Sequence, residues 1–548
     1  GGTPPASRAV QVLNRGAGTM NWTATIAEVS SAQQWFGLGP ASGASRADGL
    51  AGPDTFTVSP IGMGLSAGVY GGLIEVRAQG QNPRLVSATL RVVAASDAVQ
   101  RRVTPGGVVF SAGAGMGAKT ATVDRNRAGA APFVAGASTT DGASWLSVSP
   151  TSGNAGEDGK TTLTLTADPG GLDAGVYTGQ VGLTFGDGVV ETVTATLIVP
   201  PSGSGACTPT SFTVAPIAPG DGFRVFAGRA VKLEAEVWDD CGQAVDEASM
   251  VAAFNTGDGA VPLRRVALGR YVATWAPANG GSQASVAFIA MAGAQTAQRF
   301  VTGAVEGSSH PAISKLGVVN AGSFALGEAI SPGAIISLFG RNFQPEALSA
   351  DTVPLPTQLG GLSLRVSGET APLYFKNNTQ INAQAPAELL PNSIAQTLVE
   401  LDGAYSVPEE VAVAASRPGV FALATQPERA IVQFPNGALS GPAVPVRAGD
   451  TVTVYLSGIG AVSPAVGTNT QPPAMEPFAR ATANVDATVG GEGAAVTFLG
   501  LTPGFIGLAQ ANLVIPPTAP VGADIPFVLS VGDQPSKTLL ISVGAPVQ

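Results

Sequence analysis

Short stretches in which apolar and polar residues alternate, separated by glycine and proline, recur along the whole chain. Val231-Lys-Leu-Glu-Ala-Glu-Val237 alternates strictly, which is the period of a strand with one buried and one wet face. Arg270-Tyr-Val-Ala-Thr-Trp275 reads as a late strand of the same sandwich, with Asp258-Gly259 as a turn ahead of it. Gly333-Ala-Ile-Ile-Ser-Leu-Phe339 and Gly449-Asp-Thr-Val-Thr-Val-Tyr455 are apolar strand candidates launched from glycine. The pattern predicts an all-β chain of many strands joined by tight turns. No uninterrupted apolar run approaches the ~20 residues needed to cross a bilayer.

Repeats divide the chain. Trp35-Phe-Gly-Leu-Gly-Pro-Ala-Ser-Gly43 aligns with Trp145-Leu-Ser-Val-Ser-Pro-Thr-Ser-Gly153, and Leu65-Ser-Ala-Gly-Val-Tyr70 aligns with Leu172-Asp-Ala-Gly-Val-Tyr177. Val86-Ser-Ala-Thr-Leu90 then meets Val193-Thr-Ala-Thr-Leu197 in the same register. A second repeat lies further on. Gln380-Ile-Asn382-Ala-Gln-Ala-Pro386 matches Gln510-Ala-Asn512-Leu-Val-Ile-Pro516, so two related units stand in tandem there. The expected domains are 1–97, 98–202, 203–306, 307–415 and 416–548, with linkers at Pro201-Ser-Gly-Ser-Gly205 and Glu306-Gly-Ser-Ser-His310-Pro311.

The first two units resemble the BACON family of Ig-like β-sandwiches. The residues that carry the likeness are Asn21-Trp22-Thr23, the Trp-apolar-x-apolar-x-Pro-x-Ser-Gly stretch, Ala-Gly-Val-Tyr-x-Gly and a closing Thr-Leu-x-Val strand. The second unit matches better than the first, which lacks Ser after its Trp-apolar pair. That resemblance implies a sandwich that accompanies extracellular enzymes and surface proteins. Residues 312–543 are similar to an uncharacterised C-terminal module of secreted acidobacterial proteins, through Val319-Asn320-Ala-Gly-Ser323, Ser331–Gly340, Gln380–Gln384, Arg417-Pro-Gly-Val-Phe421, Arg447–Tyr455 and Gly458-Ile-Gly460. Its halves look like IPT/TIG sandwiches, and it transfers no activity. The fold class expected is therefore a tandem array of about five Ig-like and IPT-like β-sandwiches.

Composition narrows the function classes. Hydrophobic residues make up 45% and charged residues 12%, so the chain can bury cores and is not of the disordered type. A net charge of -10 opposes phosphate backbones and anionic membranes, which require clustered Lys and Arg. The first residues, Gly1-Gly2-Thr3, include neither Met nor an apolar leader, leaving a processed mature chain and a trimmed one both open. Cys207 and Cys241 fall inside the third expected domain. A disulfide between them, which would place the protein outside a reducing cytosol, stands against the alternative of two buried thiols.

Candidate chemistry is sparse. His310 is the single histidine and sits in a linker beside Pro311, where a Ser-His-Asp or Cys-His arrangement would lack rigid support. One His and two Cys do not make a common zinc set, and no cofactor is expected. Gly113-Ala-Gly-Met-Gly117-Ala-Lys119-Thr120 misses the phosphate-loop pattern at Ala118 and continues as a strand. Asp239-Asp240, Asp246-Glu247 and Glu157-Asp158 read as turn residues, with calcium the alternative. Trp35, Trp145, Trp238 and Trp275 are read as core, which leaves Trp22 as the candidate sugar platform.

The expectation is a secreted, extracellular or cell-surface structural or adhesive protein, not an enzyme. It would self-associate or bind other surface proteins, as in a fibre or surface layer built by addition of an edge or terminal strand. Ala9-Val-Gln-Val-Leu13 and Thr538-Leu-Leu-Ile-Ser-Val543 are the candidate donor strands. A carbohydrate-binding surface protein is the alternative, with polysaccharide as partner.

Overall fold

The computed structural model describes residues 5–31, 33–47, 54–61, 64–94, 101–112, 116–125, 131–155, 160–201 and 207–546. Among these residues every regular element is a β-strand. Two compact units form. One holds Gly1–Gly72 with Ala88–His310, and the other holds Leu73–Ser87 with Pro311–Gln548.

In the first unit the sequence repeat becomes a structural one. Trp35 and Trp145 are both buried, each at the start of a short strand, Phe36–Gly39 in one copy and Leu146–Ser149 in the other. Glycine makes room for both rings. A Cβ on Gly72 would lie 3.2 Å from the Trp35 ring and 2.3 Å from Phe36, and one on Gly179 would lie 3.1 Å from the Trp145 ring. Two residues before each glycine, a tyrosine hydroxyl donates to a backbone carbonyl four residues upstream, Tyr70 to Ser66 and Tyr177 to Asp173. The alignment read from sequence therefore marks a packing device used twice.

The second copy is a full sandwich. One sheet runs in the order Leu146–Ser149, Lys160–Ala167, Lys119–Arg125, Arg101–Thr104, and the other Ser152–Ala155, Ala131–Thr139, Gly175–Phe185, Val190–Val199, Gly107–Ser111. Phe110, Leu163, Val181, Leu183 and Leu197 fill the space between them. Next comes an eight-stranded path from Phe212–Ala218 to Phe223–Phe226, with its core around Leu233, Val237, Tyr271, Trp275 and Phe288. Cys207 and Cys241 are joined in a disulfide there. The strict alternation expected of Val231–Val237 fails at one position. Glu234 is buried instead of wet, because Arg270 on the neighbouring strand and Lys232 both pair with its carboxylate.

The second unit repeats itself in the same literal way. On Gln380–Gln384, the Asn382 side-chain oxygen accepts from Ser337 at 2.9 Å and from Gln380 at 2.8 Å. Within Ala509–Val514, Asn512 accepts from Thr453 at 3.0 Å and from Gln510 at 3.3 Å. Each asparagine lies directly across the ladder from its hydroxyl partner, so the Gln-x-Asn signature is a cross-strand clamp.

Other motif residues join the two halves of this unit. The Asn320 amide donates to the carbonyls of Arg417 at 2.9 Å and Ser457 at 3.2 Å, and its oxygen accepts from Gly322. A Cβ on Gly419 would fall 2.3 Å from that oxygen, which explains glycine after Arg417-Pro. Ser457 Oγ accepts from the Ile335 amide, and Asn469 binds Gln384 and both backbone groups of Leu355. Tyr374 donates to the Ile506 carbonyl, and burial pushes its phenol up to about 12, keeping it a donor at any ordinary pH. The segment Leu73–Ser87 also belongs here: Leu73 and Leu85 pack with Leu398 and Tyr405, while Asn82 bonds Ser393 and Leu390.

The two candidate donor strands differ in how they are paired. Arg8–Val12 is paired on one side with Asp54–Pro60. Leu539–Val543 lies between Gly522–Val531 and Gln426–Ala430, so its ladder is occupied on both sides. This corrects the terminal-donor expectation for the C-terminal run.

Replacing Asn320 by Ala should lower stability by about 2–3 kcal/mol, because two backbone carbonyls and one amide lose their partner inside the protein. Denaturant unfolding of the variant checks this. A change within about 0.5 kcal/mol would mean that water replaces the amide.

Candidate ligand groove

The second and third sandwiches meet along a close seam. Their backbones touch at two glycines: a Cβ on Gly106 would lie 2.4 Å from the Gly220 Cα. The Gly106 amide donates to Ile217, and Val109, Ile198, Ala215 and Ile217 form an apolar patch beneath it. Ser111 Oγ donates to the Gly242 carbonyl at 2.8 Å, and Thr192 Oγ1 to that of Asp221 at 2.6 Å.

Beside this seam lies a groove of about 440 Å³ lined by Ser138–Thr140, Thr178–Gln180 and Thr194 from the second sandwich and by Asp221 and Arg299–Val301 from the third. Strand geometry explains its one aromatic wall. Successive side chains on Gln295–Glu306 point to opposite faces, so Val301 is buried while Phe300 is 56% exposed. Arg299 Nη2 donates to Thr178 Oγ1 at 2.6 Å across the groove. Asp221 is already engaged, accepting from the amide and hydroxyl of Thr302 at 2.8 Å each. A further recess of about 610 Å³ borders Gly222–Arg224, Asn255, Ser282–Ser285 and Thr302–Ala304. Hydroxyls, an amide, a guanidinium and one ring can bind a polar ligand.

The residues singled out from sequence lie elsewhere. Trp22, the candidate platform, is only 2% exposed; its indole packs near Phe56 and donates to Asp54 at 3.0 Å. Its ring faces are covered, and the sugar-platform reading of Trp22 is corrected to a core role. Trp275 is likewise buried with its indole on Asp258, the turn acid, while Trp238 is half-buried and donates to Glu236. Cys207 and Cys241 act as a staple.

His310 is not on an open linker. It is 6% exposed against Gly228, and burial, reinforced by the Arg229 guanidinium, brings its imidazole down to about 4. Asp240 accepts from the amides and hydroxyls of Thr210 and Ser211, and the Thr210 hydroxyl bond leads in holding its carboxyl below the usual range. Asp239 caps Gln243 and Asp246 pairs with Arg265. Among the described residues no group of three or more His, Cys, Asp or Glu converges as a metal site would need. Glu157-Asp158, Gly113–Gly115 and the 202–205 linker lie outside the described residues. Phe300 and Arg299 drew no attention in the sequence, because one ring within a strand looks like core until its parity is known.

Residues 102–197 match the profile of a family described as "Viral BACON domain". None of the curated proteins matches the sequence. Among solved structures, an endo-fucoidan hydrolase from glycoside hydrolase family 107 aligns at 12% identity over 56% of this chain, with a TM-score of 0.16; the chain spans 42% of that hydrolase's length. Sidekick-1 immunoglobulin domains 1-5 align at 13% identity over 99% of this chain and 96% of that one, with a TM-score of 0.17. The D0-D1 domain of Intimin aligns at 15% identity over 37% and 97%, with a TM-score of 0.20. The all-β assignment rests on the strands themselves.

The buried imidazole sets a pH dependence. Unfolded, it titrates near 6.5, about as any histidine does, and folded near 4, so between those values the unfolded chain holds more protons. Its contribution is intact above about pH 6.5 and is lost as the pH falls toward 4. A His310→Gln variant should show a shallower acid slope in thermal unfolding between those limits, and an unchanged slope would assign the acid lability elsewhere.

Proposed function

We propose that this chain is a structural or adhesive array of β-sandwiches that works outside the cell. The observation that carries the reading is how neighbouring sandwiches are joined within each unit. Asn320, Ser457, Gln384 and Asn469 in one unit, and the Gly106–Gly220 seam in the other, give each pair one fixed arrangement. Fixed junctions suit a part that bears load or presents a surface, and the disulfide fits an oxidising compartment. No helix among the described residues is long and apolar enough to cross a membrane. In this proposal the chain turns over no substrate and holds no cofactor.

Self-association would use an open sheet edge. Among the described residues Arg8–Val12 ends the order of its three-stranded sheet, and in this proposal the side of its backbone away from Asp54–Pro60 receives another strand. Electron microscopy and light scattering on undenatured protein should show ordered assemblies, and a peptide copying residues 8–12 in excess should shorten them. Dispersed 54.4 kDa monomers would overturn assembly as the role.

The groove favours a second reading, in which the array holds a polysaccharide. Phe300 would stack on a sugar face while Gln180 and Arg299 bond its hydroxyls. Phe300→Ala should abolish retention on immobilised glycans and leave the unfolding midpoint unchanged, since the ring is exposed. Equal retention by both proteins would remove this reading.

A further inference from the structure

The floor of the groove continues past the residues that line it. In the sheet that forms it, Phe133, Ala135, Val181, Leu183, Phe185 and Val193 point into the core, so the residues between them face outward. Pairing sets those outward residues in rows across three strands. Ser138, Gln180 and Thr194, all at the groove, make one row. Gly136, Gly182 and Thr192 make the next, and Val134, Thr184 and Val190 the one after.

The middle row is nearly bare. Gly136 and Gly182 stand opposite one another, and a Cβ on either would meet nothing within 4 Å. Neither has the positive φ that calls for glycine. Packing therefore does not demand them, in contrast to Gly179 on the same strand, which clears the Trp145 ring. Glycine inside a strand weakens it and leaves the backbone open to close approach. Beyond the pair, Val134 and Val190 are exposed on either side of Thr184. From Thr178, where Arg299 crosses, to Thr184 the strand runs about 20 Å at roughly 3.4 Å per residue. No residue in the three rows is ionisable. The two charges at the wall, Asp221 and Arg299, are opposite in sign, and each is bonded to a hydroxyl of the protein itself.

We propose, resting on the reading of the groove as a polysaccharide site, that its occupant is a linear neutral polysaccharide lying along this sheet as an extended chain. Phe300 stacks on one ring, and Gln180 with the threonine hydroxyls bonds the next. The glycine pair lets a ring lie against the backbone, and Val134 and Val190 meet the apolar face of the last. A single sugar would touch one row only, so affinity rises with chain length. An acidic polymer would gain nothing from an uncharged floor and would be repelled by a chain of net charge -10.

Retention of the full chain on immobilised oligosaccharides of graded length, glucans, xylans and mannans in one series and polyuronates in the other, tests this. The neutral chains should be held more tightly as rings are added, until the sheet is spanned. Gly182→Val should abolish that gain while the unfolding midpoint stays equal or rises, since valine suits an open strand position. Loss with Phe300→Ala and none with Gly182→Val would overturn the extended track and leave the groove reading standing. Stronger retention on polyuronates, or no dependence on length, would overturn the track in the same way. If the unaltered chain retained neither series, the track and the groove reading would fall together.

Discussion

A sandwich that ends against another sandwich must satisfy the backbone groups of its last turns without water, and the rest of this structure depends on how that is done. The Asn320 side chain meets the requirement in the second unit by bonding two carbonyls and one amide on three separate stretches of chain. Unpaired buried backbone groups are expensive enough that such a bridge selects one arrangement over all nearby ones. Glycine supplies the complementary half: where Gly419 meets Asn320 and where Gly106 meets Gly220, any side chain would push the surfaces apart. The same logic, a polar side chain reaching across and a glycine giving way, recurs at both joined pairs.

Seen this way, the signatures that repeat along the chain are structural parts. Gln-x-Asn positions a clamp across two strands in each half of the second unit. Ala-Gly-Val-Tyr-x-Gly sets a tyrosine hydroxyl on its own upstream carbonyl and leaves space for a tryptophan. A recurring polar residue next to an apolar strand is easily taken for a binding group. Here its partners are backbone carbonyls and neighbouring side chains, and the candidate groove is lined by other residues.

Much of the fold was legible because strand parity and glycine placement are local. The alternation around Val231 and the paired Trp and Tyr positions needed no tertiary knowledge to be placed. What escaped was set by partners distant in sequence. Glu234 reads as a wet-face residue until Arg270 comes alongside it, His310 reads as linker until it lies on Gly228, and Trp22 is a free ring until Asp54 and Phe56 enclose it. Lys376, which ends Leu373–Lys376, gave no sign of its complete burial, since a lysine closing an apolar strand is ordinarily the residue that returns the chain to solvent. The groove was hidden for the same reason: Phe300 and Thr178 are 122 positions apart, and only the meeting of two sandwiches places them on one wall.

The segment Leu73–Ser87 interrupts the sequence of the first unit and belongs to the second. During synthesis it leaves the ribosome long before its partners exist, because Asn82 and Ser393 are separated by 311 residues. Leu73 and Leu85 must therefore stay uncovered while some three hundred residues are made, which exposes the nascent chain to wrong pairings. Nor can any single cut separate the units into two complete pieces: a fragment that begins at Pro311 would lack the cover for Leu398 and Tyr405. The order in which this protein is made and the order in which it can finish folding are not the same.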